Sequence, residues 1–426
     1  MKAMLITNAR WLTPEGYFEE GNIEIAEGRI ARLSTGRRLA SDGKDVLDAR
    51  GYLILPGMID PHVHFREPGQ VYKEGIRNGS KAALKGGVTT VIDMPNNRPP
   101  ITTPARLKEK RDRFARKSLV NWGVMFHASG KLYDVGQQAK SVKIFMARSS
   151  SLTSITDEQT LTRLFEFYER VSIHAEDESV FPKDGDYLPH HERRPREAVL
   201  TALQKIERAL RSLPAEKRPR VIICHTNTAQ EMDWVKRMKA DGFDLWAETA
   251  PHYLFFTQED ALRQGAFLKV NPPIRTLQDQ QALRQGLTAN IIDFIGTDHA
   301  PHVLYEKQSE TPPSGIAAVE WVLPLLLNLI DEGIISWEQL HRLTCGNASR
   351  AYAIADRDGI REGNWADLVF VKRTTKPIMN AHVVTKAGVN VYKNVGCCWQ
   401  VEQTMVNGIV KYRKGKFIDE TPGHAV

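Results

Sequence analysis

Two imidazoles and a guanidinium sit close together in His62-Val63-His64-Phe65-Arg66. On a β-strand, side chains two apart point the same way, so His62 and His64 can face one cation while Val63 turns to the packing. That opens a metal site without completing it, and a pair of histidines on a wet strand face would read the same. Other metal-competent residues stand in or just after apolar runs: Lys143 in VKIFM, His174 after VSI, His225 after VIIC and Asp298 after FIGT. Singly, each has a plain reading, as a hydrogen-bonded core histidine or a lysine snorkelling to solvent. At the same end of consecutive barrel strands they converge on one pocket, and the combination favours a metal centre. One catalytic zinc takes three protein ligands and keeps a position open for water. Four histidines and a carboxylate exceed that, so two ions are implied, about 3.5–4 Å apart with an anion between them. The fourth-strand position offers Lys143 instead of an acid, and a free ammonium there would repel both cations.

The elements that must position these residues alternate apolar runs with amphipathic helical stretches, the texture of βα units. Eight strands are predicted, at residues 52–59, 87–94, 122–127, 142–146, 171–174, 221–225, 245–249 and 294–299, with helices such as 74–85 and 197–211 between them. This predicts an α/β fold, a (β/α)8 TIM barrel over residues 56–354, with an open doubly wound sheet as the structural rival. The Asn- and Pro-rich patches at 96–100, 271–273 and 311–315 follow strands, where a barrel places its catalytic loops. Short strands near both ends, at 3–6, 21–26, 29–33, 366–371 and 403–410, suggest a small β-sandwich domain assembled from residues 1–55 and 355–426.

A net charge of +7 over 426 residues, with Lys and Arg scattered, argues against a nucleic-acid surface. The longest apolar stretch, residues 321–330, is short of the ~20 residues a membrane helix needs and reads as core or subunit contact. Polar residues interrupt the N-terminal apolar run before it could serve as a signal core, so a cytoplasmic protein is expected, with no membrane partner. Cys224, Cys345, Cys397 and Cys398 lack metal-ligand spacing and read as buried thiols.

The motifs DPHVHFREPG, GVTTVIDMPNN, VKIFMARSS with its lysine, IHAEDE, ICHTNT, ETAPHYLFF, KVNPPIRT and GTDHAPH followed by Glu306-Lys307 occur in that order from residue 56 to about 307. Jointly they resemble the dihydroorotases of the amidohydrolase superfamily, close to the hydantoinase and allantoinase group. The resemblance implies two Zn2+ ions. His62 and His64 would bind the more buried one with Asp298, and His174 and His225 the second. Lys143, carrying a carbon dioxide-derived carbamate, would bridge them, although some bacterial members have aspartate there. Asp298 would also act as general base and acid. Arg66 would grip the substrate carboxylate beside Asn96, with His64 also on the substrate side. Asn271 and His302 would address the ring, and Ser314 and Gly315 would offer a backbone contact. The implied reaction is the reversible cyclisation of N-carbamoyl-L-aspartate to L-dihydroorotate, in pyrimidine (UMP) biosynthesis. The resemblance extends to a homo-oligomer such as a dimer and to aspartate transcarbamoylase as a partner. Two alternatives remain: a hydantoinase- or allantoinase-type cyclic amidohydrolase, whose motif commonly differs at the Arg66 position, and a non-catalytic partner of the transcarbamoylase.

Overall fold

Gly57 divides the apolar run at residues 52–59, predicted as one strand, between two different sheets. Leu53–Pro56 pairs antiparallel with Leu368–Arg373, whereas Met58–Val63 pairs parallel with Val88–Asp93. A Cβ at Gly57 would lie 2.1 Å from Thr89 Oγ1, so the crossing from one sheet to the other has no room for a side chain. Both halves are buried, which makes the run continuously apolar and conceals the break. The computed structural model describes residues 3–36, 40–148, 154–183, 185, 187–375, 377 and 382–426. Ser149 and Ser150 of the lysine motif lie outside the described residues.

Met58–Val63 is the first strand of a closed parallel barrel. The others are Val88–Asp93, then Asn121–Val124 continued by Phe126–His127, Val142–Phe145, Arg170–His174, Arg220–Ile223, Leu245–Thr249 and Phe294–Ile295. The third strand is interrupted at Met125: its first part pairs with the second strand, and its second part with the fourth. Each strand is nearly all buried on both faces, as helices outside a barrel require. Closure excludes the open doubly wound sheet. Val63 bridges in parallel to His299, and the His64 N–H donates to the His299 carbonyl at 2.8 Å.

The eighth strand is only two residues long, so the seam between it and the first has little backbone ladder. Asp60 takes its place. Its carboxylate accepts from the Thr297 N–H at 3.0 Å, the Thr297 hydroxyl at 2.6 Å and the His62 N–H at 3.2 Å. The side chain is fully buried. Asp60→Ala would leave buried donors unmet, and we expect a loss of roughly 3 kcal/mol or more. Urea unfolding of the metal-stripped protein measures it; a midpoint equal to wild type would mean that the seam is held by other contacts.

The chain ends build one continuous nine-stranded sheet, joined where Leu53–Pro56 meets Leu368–Arg373. Its two halves enclose one core, with Ile6, Trp11 and Ile23 from the first and Leu368, Phe370 and Met405 from the second. Not all of residues 355–426 belongs to it. Tyr392 packs into the barrel core and stacks on Phe256 at 5.3 Å, while the Thr385 hydroxyl donates to Glu74 at 2.5 Å. The final residues run beside the third barrel strand, where Val426 N–H donates to the Trp122 carbonyl at 3.0 Å. The helix Val322–Asp331 is core. Among the described residues no helix is long and apolar enough to cross a membrane.

Candidate metal centre

The predicted ligands meet at one end of the barrel. His62 and His64, at the end of the first strand, have ring centroids 5.4 Å apart. Asp298 Oδ1 lies 3.0 Å from His64 Nε2 and 3.4 Å from His62 Nε2, and the donor atoms of the three residues fall within 4.8 Å of one another. Across the cavity, His174 Nδ1 and His225 Nε2 are 2.9 Å apart. Three residues reach the site in left-handed backbone: Arg66 at φ 63°, His225 at 42° and Asp298 at 47°. Strand alternation therefore carries only the two histidines. The strand ends at Val63, and a turn, not the pleat, brings Arg66 to the same wall.

Polar partners behind the ligands fix which ring nitrogen is left to face a cation. His62 Nδ1 meets Glu248 Oε1 at 2.6 Å, His64 Nδ1 meets Asn96 Oδ1 at 2.6 Å, and His174 Nε2 lies 3.0 Å from Glu176 Oε2. An N–H turned to each of these acceptors would leave Nε2 of His62 and His64 and Nδ1 of His174 for a cation, with Asp298 Oδ1 standing against the first two. Glu176 is held by Arg194 at 2.5 Å. At 2.9 Å, His174 Nδ1 and His225 Nε2 either share a proton or leave their lone pairs to a metal ion. Burial pushes the pKa values of His64, His174 and His225 below the ordinary imidazole range, keeping them in the neutral form that binds metals. Burial disfavours charge on His62 as well. There the Glu248 and Asp298 carboxylates prevail and raise the pKa to about 10. Burial likewise opposes charge on Asp298, but His62 and His64 outweigh it and hold the carboxyl well below its usual range. Two buried carboxylates around one imidazole call for a cation, and the donor set fits divalent metal.

Lys143 is buried in the fourth strand, and its Nζ lies 2.8 Å from Cys224 Sγ. No carboxylate pairs with it among the described residues. It lines the cavity together with Phe145, both histidine pairs, Asp298, Arg66, Asn96, Asn271, Ser314 and Gly315. A larger groove of about 820 Å³ on the terminal sheet is lined by residues such as Arg10, Tyr52 and Leu53 and, among the described residues, carries no grouping of metal-competent side chains.

His302, expected to address the substrate ring, stands against Arg66 and beside Gly315 of the cavity wall. Arg66 Nη2 donates to His302 Nε2 at 3.2 Å, while His302 Nδ1 faces both Glu306 Oε2 at 3.0 Å and the Lys73 ammonium at 3.2 Å. Burial and the nearby Arg66 and Lys73 cations hold His302 neutral. Lys73 completes the group at 3.0 Å from Glu306 Oε1. His302 thus aims the guanidinium, with Glu306 behind it; among the described residues neither Arg66 Nε nor Asn271 Oδ1 has a hydrogen-bond partner. Asn96 engages His64 Nδ1 through its carbonyl oxygen at 2.6 Å, and His64 Nε2 faces Asp298. The Gly315 N–H is taken by the Lys269 carbonyl at 2.8 Å. His190 and His191, outside this cluster, are half-buried, and His190 Nε2 bonds the Val270 carbonyl at 2.8 Å.

Sequence patterning does not single out Lys110. It belongs to the mostly polar helix Pro104–Lys117, yet it is fully buried, 2.5 Å from Asp93 Oδ2 and 3.0 Å from Asn97 Oδ1. Asp93 Oδ1 in turn accepts from the Phe65 N–H at 2.7 Å, so this pair ties the loop of Arg66 to that of Asn96. Glu176 and Glu248 are visible in the sequence only as letters inside motifs, because nothing local shows that they reach histidines.

A family model described as "Amidohydrolase family" matches residues 53–210 and 275–410. A dihydroorotase of Pyrococcus furiosus is 32% identical over 409 residues, 96% of this chain and 92% of that one. A dihydroorotase of Halobacterium salinarum is 34% identical over 370 residues, 82% and 85% of the two chains. Among solved structures, an L-hydantoinase (dihydropyrimidinase) from Arthrobacter aurescens superposes with a TM-score of 0.90 at 23% identity, covering 99% of this chain and 98% of that one. This last likeness bears on fold alone.

Proposed function

The chain belongs to the amidohydrolase family, and from that membership we propose that it is a dihydroorotase, interconverting N-carbamoyl-L-aspartate and L-dihydroorotate in pyrimidine biosynthesis. The observation that carries the choice of substrate is Arg66, a buried guanidinium on the cavity wall, aimed by His302 and Glu306 and standing beside the ligands His62 and His64. A planar fork of donors suits a carboxylate, which dihydroorotate has and hydantoin lacks.

The proposal includes two zinc ions. His62, His64 and Asp298 would hold one, His174 and His225 the other, and Lys143 would bridge them as a carbamate. Carboxylation exchanges the ammonium charge for an anion and so removes the repulsion that a free Lys143 would cause. When bound, such a pair lowers the pKa of water and polarises a carbonyl. The chain's own residues do the rest. Arg66 binds the substrate carboxylate and sets the ring amide against the ligand cluster. Asp298 has Oδ1 turned to His62 and His64, so proton transfer falls to Oδ2. It takes a proton from the attacking water and returns it to the ring nitrogen as the carbon–nitrogen bond breaks. Cyclisation is the reverse. A cytoplasmic homo-oligomer and a transcarbamoylase partner complete the proposal.

The test compares kcat/KM for dihydroorotate, hydantoin and allantoin. Dihydroorotate is expected to be the good substrate, and comparable turnover of allantoin would move the assignment to the hydantoinase and allantoinase group. Arg66→Met is expected to raise KM for dihydroorotate about 10–100-fold, the worth of one lost charge-assisted hydrogen-bond pair. An unchanged KM would remove Arg66 from the substrate. A purified protein that binds no zinc and stays inactive with zinc and bicarbonate would instead be the non-catalytic partner.

A further inference from the structure

We infer that Glu248 is a positioning residue that couples the two metal sites, so that neither ion is held normally without it. Glu248 lies in the seventh strand, Leu245–Thr249, and is fully buried. Its Oε1 makes two contacts with ligands from opposite sets: it accepts from His62 Nδ1 at 2.6 Å and from the His225 backbone N–H at 3.2 Å. The first contact orients the imidazole of the pair that includes His64 and Asp298. The second holds the turn at φ 42° that swings His225 towards His174. The same carboxylate lies within 4.8 Å of Cys224 Sγ, which is the hydrogen-bond partner of Lys143. One side chain therefore touches ligands of both sites and borders the group expected to bridge them.

The other carboxylate and amide behind the ligands act on one site each. Glu176 contacts His174, and Asn96 contacts His64. The fold also makes room for Glu248 specifically. A Cβ at Gly296, on the neighbouring eighth-strand segment, would lie 2.5 Å from Glu248 Cδ and 2.9 Å from His62 Cβ. Any side chain there would push the carboxylate off its two partners. Partners behind metal ligands are typically worth 10–100-fold in metal affinity, and a shared partner spreads that loss over both ions.

The inference rests on the two-zinc reading, and the experiment separates the two. Wild type, Glu248→Gln and Glu176→Gln are each loaded with zinc and titrated with a chelator, while bound metal per chain is measured. Cobalt-loaded samples are followed through the d–d bands, which report ligand geometry and which a merely structural role would leave unchanged. Glu248→Gln is expected to weaken both ions 10–100-fold, to release them in one step, and to shift the cobalt bands of both. Glu176→Gln is expected to weaken only one. Glu248→Asp keeps the charge but is one methylene too short to reach both partners, so it should reproduce the joint loss if the glutamine variant folds poorly. Loss of a single ion, or wild-type retention of both, in either Glu248 variant overturns the coupling. Wild type that binds fewer than two ions overturns the two-zinc reading itself.

Discussion

Asp298→Asn is expected to fold, to keep the cavity, and to lose turnover by at least the ~10²–10⁴-fold typical of a missing general base. The substitution is close to isosteric. It also suits the backbone, because Asp298 sits at φ 47° and asparagine is among the few side chains that tolerate left-handed conformation. What changes is charge and basicity. The carboxylate faces His64 Nε2 at 3.0 Å and His62 Nε2 at 3.4 Å, and its low pKa keeps it ionised. An amide oxygen can still face a cation, but it cannot shuttle a proton to the leaving nitrogen. Measuring zinc content beside kcat separates the two duties: both ions retained with turnover lost isolates the base. Near-normal kcat would refute the assignment.

Lys143→Ala is expected to be as damaging, for a different reason. A bridging ligand contributes to both metal positions, so its loss should exceed the roughly 10–100-fold cost of removing a partner behind a ligand. The side chain is buried and its Nζ bonds Cys224 Sγ, so truncation opens a hole at the middle of the ligand cluster. Acetate or propionate added to the assay should enter that hole, present a carboxylate where the carbamate would be, and restore part of the activity and of the bound zinc. Full activity in the alanine variant without added acid would rule out the bridge. Rescue that restores activity but not metal content would point to an effect elsewhere.

Much of the site is legible in the sequence because strand period and strand ends are local properties. His62 and His64 share a direction through the pleat, and His174, His225 and Asp298 follow short apolar runs that fold as buried strands. Other features are written in the same letters yet hidden. The run at 52–59 is apolar throughout because both sheets bury it, so composition cannot place the break at Gly57. Lys110 has the pattern of a solvent-facing lysine in a charged helix, yet Asp93, 17 residues earlier, supplies its buried counter-charge. The motif around His302 gives no sign that its ring stands between Arg66 on one side and Glu306 and Lys73 on the other.

What the sequence determined by itself was the set of candidate ligands and the strands that carry them, since alternation and hydrophobic burial act over a few residues, whereas closure of the barrel against the open-sheet rival was settled by the bridge between Val63 and His299. Only the tertiary structure decided which carboxylate serves which imidazole. Glu248 reaches His62 across 186 positions of chain and His225 across 23, and Asp60 meets Thr297 across 237. No local periodicity encodes such pairs. Barrel closure creates them by bringing the first strand beside the eighth and the seventh beside the sixth. In that dry interior an unmatched charge or donor is costly enough that each buried polar group must find its partner there.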